Sequence, residues 1–390
     1  MLICLHMVPR TYWLKMVESA WSRKSIVWLS GVRRVGKTFL CKTIPDIEYF
    51  DCELPSTRRQ MEEPEGFLTK LKNKKVVVDE IHRLPNPSEF LKIAADHFPS
   101  IKIIATGSST LQASSRFRDT LTGRKAEMWL TPMMSQDLID FGNQDISHRL
   151  LRGGLPPFFL SPNLLETDFQ EWIDSYWAKD IQELFRLERR TSFQRFLELL
   201  FIQSGGLFEA TRFAIPCEVS RGTISNYLAV LSGTWVIHVI RPFSTRRSVE
   251  IISAPKVYAF DTGFVCYFRG WHQLRDDDLG LLWEHWVLNE IHSRLQSPSV
   301  RYWRDKRGHE VDFILILRGK QPITIECKWR ADNFEPGNLK AFRYHYPEGP
   351  NWIVCQNVDR EYIRSYDSFK VEFMGLEEFG KKLDQLIQKS

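Results

Sequence analysis

No stretch of this 390-residue sequence approaches the ~18 consecutive apolar residues that a membrane-crossing helix needs, so a membrane protein is not expected. The seven cysteines are scattered and none form a C-x-x-C pair. That argues against a disulfide-stapled scaffold and against a zinc ribbon, and it fits a reducing, cytoplasmic setting. The apolar opening Met1-Leu-Ile-Cys-Leu-His6 lacks a basic flank and a small-residue cleavage site, so it is not read as a secretory leader. Internal repeats and low-complexity tracts are lacking too, which argues against a repeat architecture. Nor is there a large excess of charge. A net charge of +5 is compatible with a nucleic-acid partner but does not require one.

What is present is ordinary globular material, 43% hydrophobic and 26% charged, in a chain long enough for two or three domains. The fold class is read as α/β in three parts. Residues 1–145 alternate helix-length segments with short apolar runs, Ser25-Ile-Val-Trp-Leu-Ser30, Lys75-Val-Val-Val-Asp79 and Ile101-Lys-Ile-Ile-Ala105. Such runs are expected to be buried strands of a parallel sheet. Residues 146–254 carry helix-length patterns, for example Phe193 to Phe201, and are expected to be mainly helical. Residues 255–390 return to α/β, with a helix from Gly280 to Leu295 and strands at Glu310 to Leu317 and Ile323 to Lys328.

Gly31-Val32-Arg33-Arg34-Val35-Gly36-Lys37-Thr38 has the spacing of a phosphate-binding loop between a strand and a helix. In such a loop the backbone N–H groups surround phosphate oxygens, Lys37 adds positive charge toward the β and γ phosphates, and Thr38 offers a hydroxyl to Mg²⁺. The strand Val76-Val-Val-Asp79-Glu80 ends in two carboxylates. Asp79 suits the Mg²⁺ shell and Glu80 suits polarising the attacking water. Ile103-Ile-Ala-Thr106-Gly-Ser108-Ser109 is a third strand emptying into small polar residues, as expected where neighbouring parallel strands end at one crevice. ATP and Mg²⁺ are therefore the expected ligands.

In the last third, folding a hairpin about Gly319 places Asp312 opposite Glu326, and period-two alternation puts Lys328 on the face of Glu326. Two adjacent carboxylates repel unless a cation separates them, and Mg²⁺ commonly takes one or two carboxylates plus water and phosphate oxygens. Asp312 and Glu326 are thus candidate metal ligands, with Lys328 beside them.

Taken together, Gly31 to Thr38, Asp79-Glu-Ile-His82, Thr106-Gly-Ser-Ser109 and Leu121-Thr-Gly-Arg124 resemble the archaeal-type AAA+ ATPases that carry a restriction-endonuclease-like C-terminal region. The resemblance implies that Ser108 or Thr106 lies near the γ-phosphate, and it makes Arg124 a charge-sensing arginine acting within one chain or across subunits of an oligomer. Arg152-Gly-Gly-Leu-Pro resembles the same family's junction after the ATPase core. Ile215 to Leu231 resembles a helix-turn-helix, with Ser220 or Thr223 as cap and a wing beginning at Trp235 to Ile240. That would place Arg221, Thr223, Ser225 and Asn226 toward a DNA groove and Arg246 and Arg247 near phosphates.

Glu284, Asp312, Glu326 and Lys328 resemble, in that order, the PD-(D/E)XK nuclease pattern, Glu284 coming from the preceding helix. The expected function is an ATPase, with Glu80 catalytic, that gates a Mg²⁺-dependent DNA nuclease. The alternative is a nucleotide-driven switch or regulator whose C-terminal domain binds DNA or a protein without cutting.

Overall fold

A computed structural model describes residues 8–107, 120–182, 185, 187, 189–245, 253–297, 300–366 and 369–388. The chain divides into two compact units, Met1–Gln144 with Leu155–Pro157 and Gln170–Glu188, and Asp145–Gly154 with Phe158–Phe169 and Arg189–Ser390.

In the first unit the apolar runs become strands β1 (Ile26–Ser30), β2 (Ile47–Asp51), β3 (Lys75–Asp79), β4 (Lys102–Thr106) and β5 (Lys125–Trp129). They form one sheet in the order β2-β3-β4-β1-β5, and every pairing is parallel. All five carboxyl ends therefore lie along one edge, where α/β sheets bind ligands. Ile26, Trp28, Val76, Val78, Ile103 and Ala105 sit in its core with Phe90 and Leu91. Each such large side chain contributes about 1.5–3 kcal/mol by leaving water. Prolines begin three of the covering helices, Pro55–Gln60, Pro64–Thr69 and Pro87–His97. Proline suits that first turn because its missing N–H would have no helical partner there.

A buried ion pair ties this unit to the phosphate-loop segment. The Arg10 guanidinium donates to both carboxylate oxygens of Asp137, at 2.9 and 2.5 Å, and to the carbonyls of Val35 (3.1 Å) and Thr131 (3.2 Å). Both side chains are almost wholly buried, at 3% and 0% exposure. Removing one partner leaves a buried charge uncompensated, which costs about 3–5 kcal/mol. Arg10→Met is therefore expected to lower the melting temperature of this unit by roughly 6–20 °C. Thermal unfolding followed by circular dichroism checks it, and an unchanged melt would remove Arg10 from this role.

The second unit is built on a mixed sheet of β6 (Gly206–Leu207), β7 (Ile237–Pro242), β8 (Lys256–Ala259), β9 (Val300–Arg304), β10 (Glu310–Leu315), β11 (Ile323–Lys328), β12 (Asn351–Cys355), β13 (Tyr362–Tyr366) and β14 (Phe369–Met374). Their order is β13-β14-β12-β11-β10-β9-β7-β8-β6. β9, β10 and β11 form an antiparallel meander, and β11, β12 and β14 run parallel. The strand expected to open a wing is β7. It pairs antiparallel with β8 and parallel with β9, so the sheet runs across the boundary expected between residues 254 and 255.

The helix Asp276–Leu295 begins four residues before Gly280 and buries Leu279, Leu282, Trp283, Trp286 and Ile291. Trp283 anchors it by donating from Nε1 to the Val354 carbonyl of β12, 2.8 Å away. Helices Ala210–Ala214 and Arg221–Gly233 follow one another, and Ser220 caps the second by accepting from the Thr223 N–H at 3.1 Å. Arg221, Ser225 and Asn226 are exposed at its start and Thr223 is half-buried. Arg246 and Arg247 lie outside the described residues. In the Arg152-Gly153-Gly154 turn, Asp261 accepts from the Gly154 and Gly263 N–H groups. A Cβ on Gly153, whose φ is +85°, would fall 2.0 Å from Asp261 Oδ1, so only glycine fits.

The six described cysteines, Cys41, Cys52, Cys217, Cys266, Cys327 and Cys355, are free and buried. Among the described residues no helix is long and apolar enough to cross a membrane.

Candidate functional site

The phosphate loop joins β1 to the short helix Lys37–Lys42. Gly31 has φ +140°, and a Cβ there would lie 2.4 Å from the Leu130 carbonyl oxygen of the chain leaving β5, so the loop's first turn requires glycine. Val32 and Val35 are buried anchors, while Arg34 is exposed with φ 62°. Lys37 folds back on its own loop, donating from Nζ to the carbonyls of Gly31 (2.8 Å) and Val32 (3.2 Å). Burial lowers the pKa of its amine against the opposing pull of Glu80, Asp180 and Asp79.

Asp79, at the carboxyl end of β3, is held by three hydroxyls. Thr38 Oγ1 donates to Oδ2 at 3.1 Å, Tyr49 of β2 donates to the same oxygen, and Thr106 of β4 donates to Oδ1. Thr106 Oγ1 also accepts from the Glu80 N–H, at 3.0 Å. Glu80 itself stands in the left-handed region at φ 52°, a conformation that costs of order 1 kcal/mol in a residue with a side chain and clusters at functional sites. Burial alone would raise the Glu80 carboxyl, but His82, whose Nδ1 is 3.1 Å away, together with Lys37 and Arg33, holds it below the usual carboxylate range.

Arg33 is drawn to the side. Its Nε donates to Asp180 at 2.8 Å and its carbonyl accepts from Trp172 Nε1 at 3.1 Å. Asp180 belongs to a single π-helical turn, Trp177–Gln182. Such turns often mark functional positions.

The structure thus brings Gly31 to Thr38, Asp79, Glu80 and Thr106 to one sheet edge. It does not bring Arg124 there. Arg124 precedes β5, whose Lys125 is level with Ile26 at the amino end of β1. The phosphate loop leaves the other end of this five-residue strand, roughly 13 Å away at ~3.3 Å per residue. The Arg124 guanidinium is bound to Asp96 (2.7 Å) and to the Thr120 carbonyl (3.1 Å). A role at the nucleotide of its own chain is therefore corrected, because parallel pairing places it at the opposite rim. Ser108 lies outside the described residues. Tyr49 and Asp180 were missed from sequence. An aromatic at the end of an apolar run signals packing, and nothing local indicates its hydroxyl partner.

The second cluster lies on β8, β10, β11 and the helix Asp276–Leu295. It borders a cavity of about 520 Å³ lined by Asp276, Asp277, Glu284, Asp312, Lys328 and Arg330 among others. The β10–β11 register pairs Phe313 with Ile325, so the next pair outward is Asp312 and Glu326. Asp312 Oδ2 accepts from the Cys327 N–H at 2.8 Å. β10 carries an irregularity against β9 between Val311 and Ile314, with one more residue than its partner. Asp312 stands in this bulge, a device that re-aims side chains beside active sites.

Lys328 Nζ donates to Glu326 Oε2 at 2.8 Å, while Glu326 Oε1 is buried with no hydrogen-bond partner among the described residues. Burial and Asp312 both push the Glu326 carboxyl up. Burial also raises Glu284, with Lys256 opposing. The Lys328 amine is raised despite its burial, because Asp312 and Glu326 favour its charge.

Three neighbours were not read from the sequence. Lys256 and Tyr258, two apart on β8, both reach Glu284 Oε1, and Lys256 also binds Glu310. The alternation Lys256-Val-Tyr258 was a signal available to the eye, but β8 lies far from the motif in sequence. Among the described residues, no group of three or more His, Cys, Asp or Glu side chains is arranged to hold a metal ion.

The first site and the parallel sheet beneath it define a class. Residues 23–139 match the family model of the AAA domain, and the chain carries an AAA+ P-loop ATPase domain. Two further stretches match families described as domains of unknown function, DUF8612 over residues 143–275 and DUF4143 over residues 279–373. Among curated proteins, the chain is similar to the uncharacterized proteins Rv2008c of Mycobacterium tuberculosis and Mb2031c of Mycobacterium bovis. Each is 27% identical over 326 residues, covering 80% of this chain and 72% of the relative. Among solved structures it is similar to the Walker-type ATPase PABY2304 of Pyrococcus abyssi, at 15% identity and a TM-score of 0.42 over 67% of this chain and 96% of that one.

Proposed function

We propose that the protein is a DNA-acting enzyme in which ATP binding and hydrolysis at Lys37 gate a Mg²⁺-dependent nuclease centred on Asp312, Glu326 and Lys328. The observation that carries the second half is a buried Glu326 oxygen, without a hydrogen-bond partner among the described residues, next to Asp312, which lines the cavity. A buried acceptor with no donor is costly, and a hard cation with oxygen ligands satisfies it. Two carboxylates lie within the one or two that Mg²⁺ commonly takes from protein, water and phosphate completing the shell.

At the ATPase site Thr38 and Asp79 would hold Mg²⁺, Lys37 would neutralise phosphate charge, and Glu80, fixed by His82, would orient and polarise the attacking water. At the C-terminal site Asp312 and Glu326 would hold the cation, which when bound supplies a more acidic water and charge stabilisation at phosphorus. Lys328 stays protonated beside Glu326 and would steady negative charge developing on the phosphodiester. Glu284 closes the other side of the site.

DNA is the partner that suits a centre of this chemistry. The exposed Arg221, Ser225 and Asn226 at the start of a capped helix support a groove-reading surface, in the expected winged-helix section 146–254. At the rim where Arg124 stands, it could meet a nucleotide only on another copy of the chain.

The test incubates plasmid, linear and branched DNA with Mg²⁺ or Mn²⁺, with and without ATP. The wild type is expected to cleave in an ATP-sensitive way. Lys328→Ala should lose cleavage and keep ATP hydrolysis. Cleavage that survives Lys328→Ala sinks the nuclease assignment, and a wild type that binds DNA or protein in an ATP-dependent way without cutting establishes the switch instead.

A further inference from the structure

Besides Asp276 and Asp277, which line the cavity from the first turn of their helix, the C-terminal cluster holds four carboxylates, and these divide into two sets. Glu284 and Glu310 are committed. Lys256 Nζ lies 3.4 Å from Glu284 Oε1 and bonds Glu310 Oε1. The Tyr258 hydroxyl donates to the same Glu284 oxygen, and Arg304 lies 3.6 Å from the other Glu310 oxygen. Asp312 and Glu326 are the other set. Asp312 lines the cavity, and among the described residues Glu326 Oε1 has no hydrogen-bond partner.

Lys256 is placed to stay. Its side chain is 6% exposed, and its ammonium stands 5.9 Å from the Tyr258 ring and 5.7 Å from the Tyr302 ring, a range in which aromatic faces attract cations. Tyr302 is in turn fixed by donating its hydroxyl to the Ala254 carbonyl at 2.6 Å.

Two-metal hydrolases place their ions ≈ 3.5–4 Å apart with carboxylates between them. Here a fixed ammonium occupies the space between the carboxylates on the Glu284 side and would repel a divalent ion brought there. We propose that Lys256 is a built-in counter-ion standing where a second metal would sit, so that the site takes a single divalent cation, between Asp312 and Glu326. This rests on the metal-site reading given above and adds its stoichiometry and the positioning residue that sets it. Lys256 acts through Glu284 and Glu310, holding them away from the cation.

The experiment is Mn²⁺ titration of the full-length protein without nucleotide, read by electron paramagnetic resonance of free Mn²⁺ and by calorimetry, with Asp312→Asn as the reference for ions bound elsewhere. Circular dichroism checks that each variant is folded. The wild type is expected to bind one Asp312-dependent ion per chain. Lys256→Met should bind two, and Lys256→Arg should return the number to one. A folded Lys256→Met that still binds one ion overturns the proposal. So does a wild type that binds two, a measurement that stands even where Lys256→Met does not fold. A wild type with no Asp312-dependent ion defeats the metal-site reading itself, an outcome distinct from a wrong stoichiometry.

Discussion

Lys37→Ala is expected to reduce ATP hydrolysis by at least about a hundredfold, the usual scale for deleting a charge that stabilises a transition state. Among the described residues Lys37 makes two hydrogen bonds, both to carbonyls of its own loop. Loss of those bonds should leave the fold intact, because the loop is held separately by Gly31 against Leu130, by the buried Val32 and Val35 and by Arg10 on the Val35 carbonyl. An amine on a flexible stem can leave those carbonyls for phosphate oxygens when nucleotide arrives. A guanidinium is a planar fork rather than a point charge, so Lys37→Arg should not rescue the rate. Phosphate release at saturating ATP and binding of a fluorescent nucleotide, with thermal unfolding as control, provide the check. Near wild-type turnover in Lys37→Ala would show that phosphate charge is met elsewhere in the loop.

The second large effect lies in the other unit. For the nuclease proposed above, Asp312→Asn should lower DNA cleavage by roughly a hundredfold or more, as loss of a group that stabilises a hydrolytic transition state does, without weakening the metal-free fold. Asparagine keeps an oxygen able to accept from the Cys327 N–H while removing one of the charges that crowd Glu326 and Glu284. The melting temperature of the metal-free variant should therefore equal or exceed that of the wild type. Adding Mn²⁺ should raise the wild-type melt, since a ligand at ~100 times its dissociation constant contributes about 2.7 kcal/mol, and should leave Asp312→Asn unmoved. Cleavage and metal-induced stabilisation both surviving in Asp312→Asn would place the ion elsewhere.

The parts legible in the sequence were those fixed by local constraint. The phosphate loop could be read because its first turn admits only glycine, and Lys75-Val-Val-Val-Asp79 because a strand buried on both faces has no polar positions to spare. The Asp312–Glu326 juxtaposition followed from hairpin counting, and the β10–β11 register has that alignment. What could not be read depends on neighbours that are remote in sequence. Tyr49 meets Asp79 because β2 lies beside β3, which residue order does not specify. Lys256 and Tyr258 reach Glu284 because β8 and the helix Asp276–Leu295 belong to one fold. The bulge at Asp312 is a misfit between β9 and β10 that neither strand shows alone. Arg124 was misplaced for a related reason. A motif gives an arginine's position along the chain, whereas strand direction decides which rim of the sheet it occupies.

The chain does not finish its first unit before starting the second. Residues 170–188, which supply Trp172 and Asp180 to the loop around Arg33, return to that unit after the chain has entered the other one. During synthesis the phosphate loop emerges early and must wait for its flank. At ~5–20 residues per second, the forty-odd residues after Gln144 take on the order of 2–9 s to appear. The ATPase unit therefore cannot close around Arg33 on the ribosome until part of its neighbour has been made.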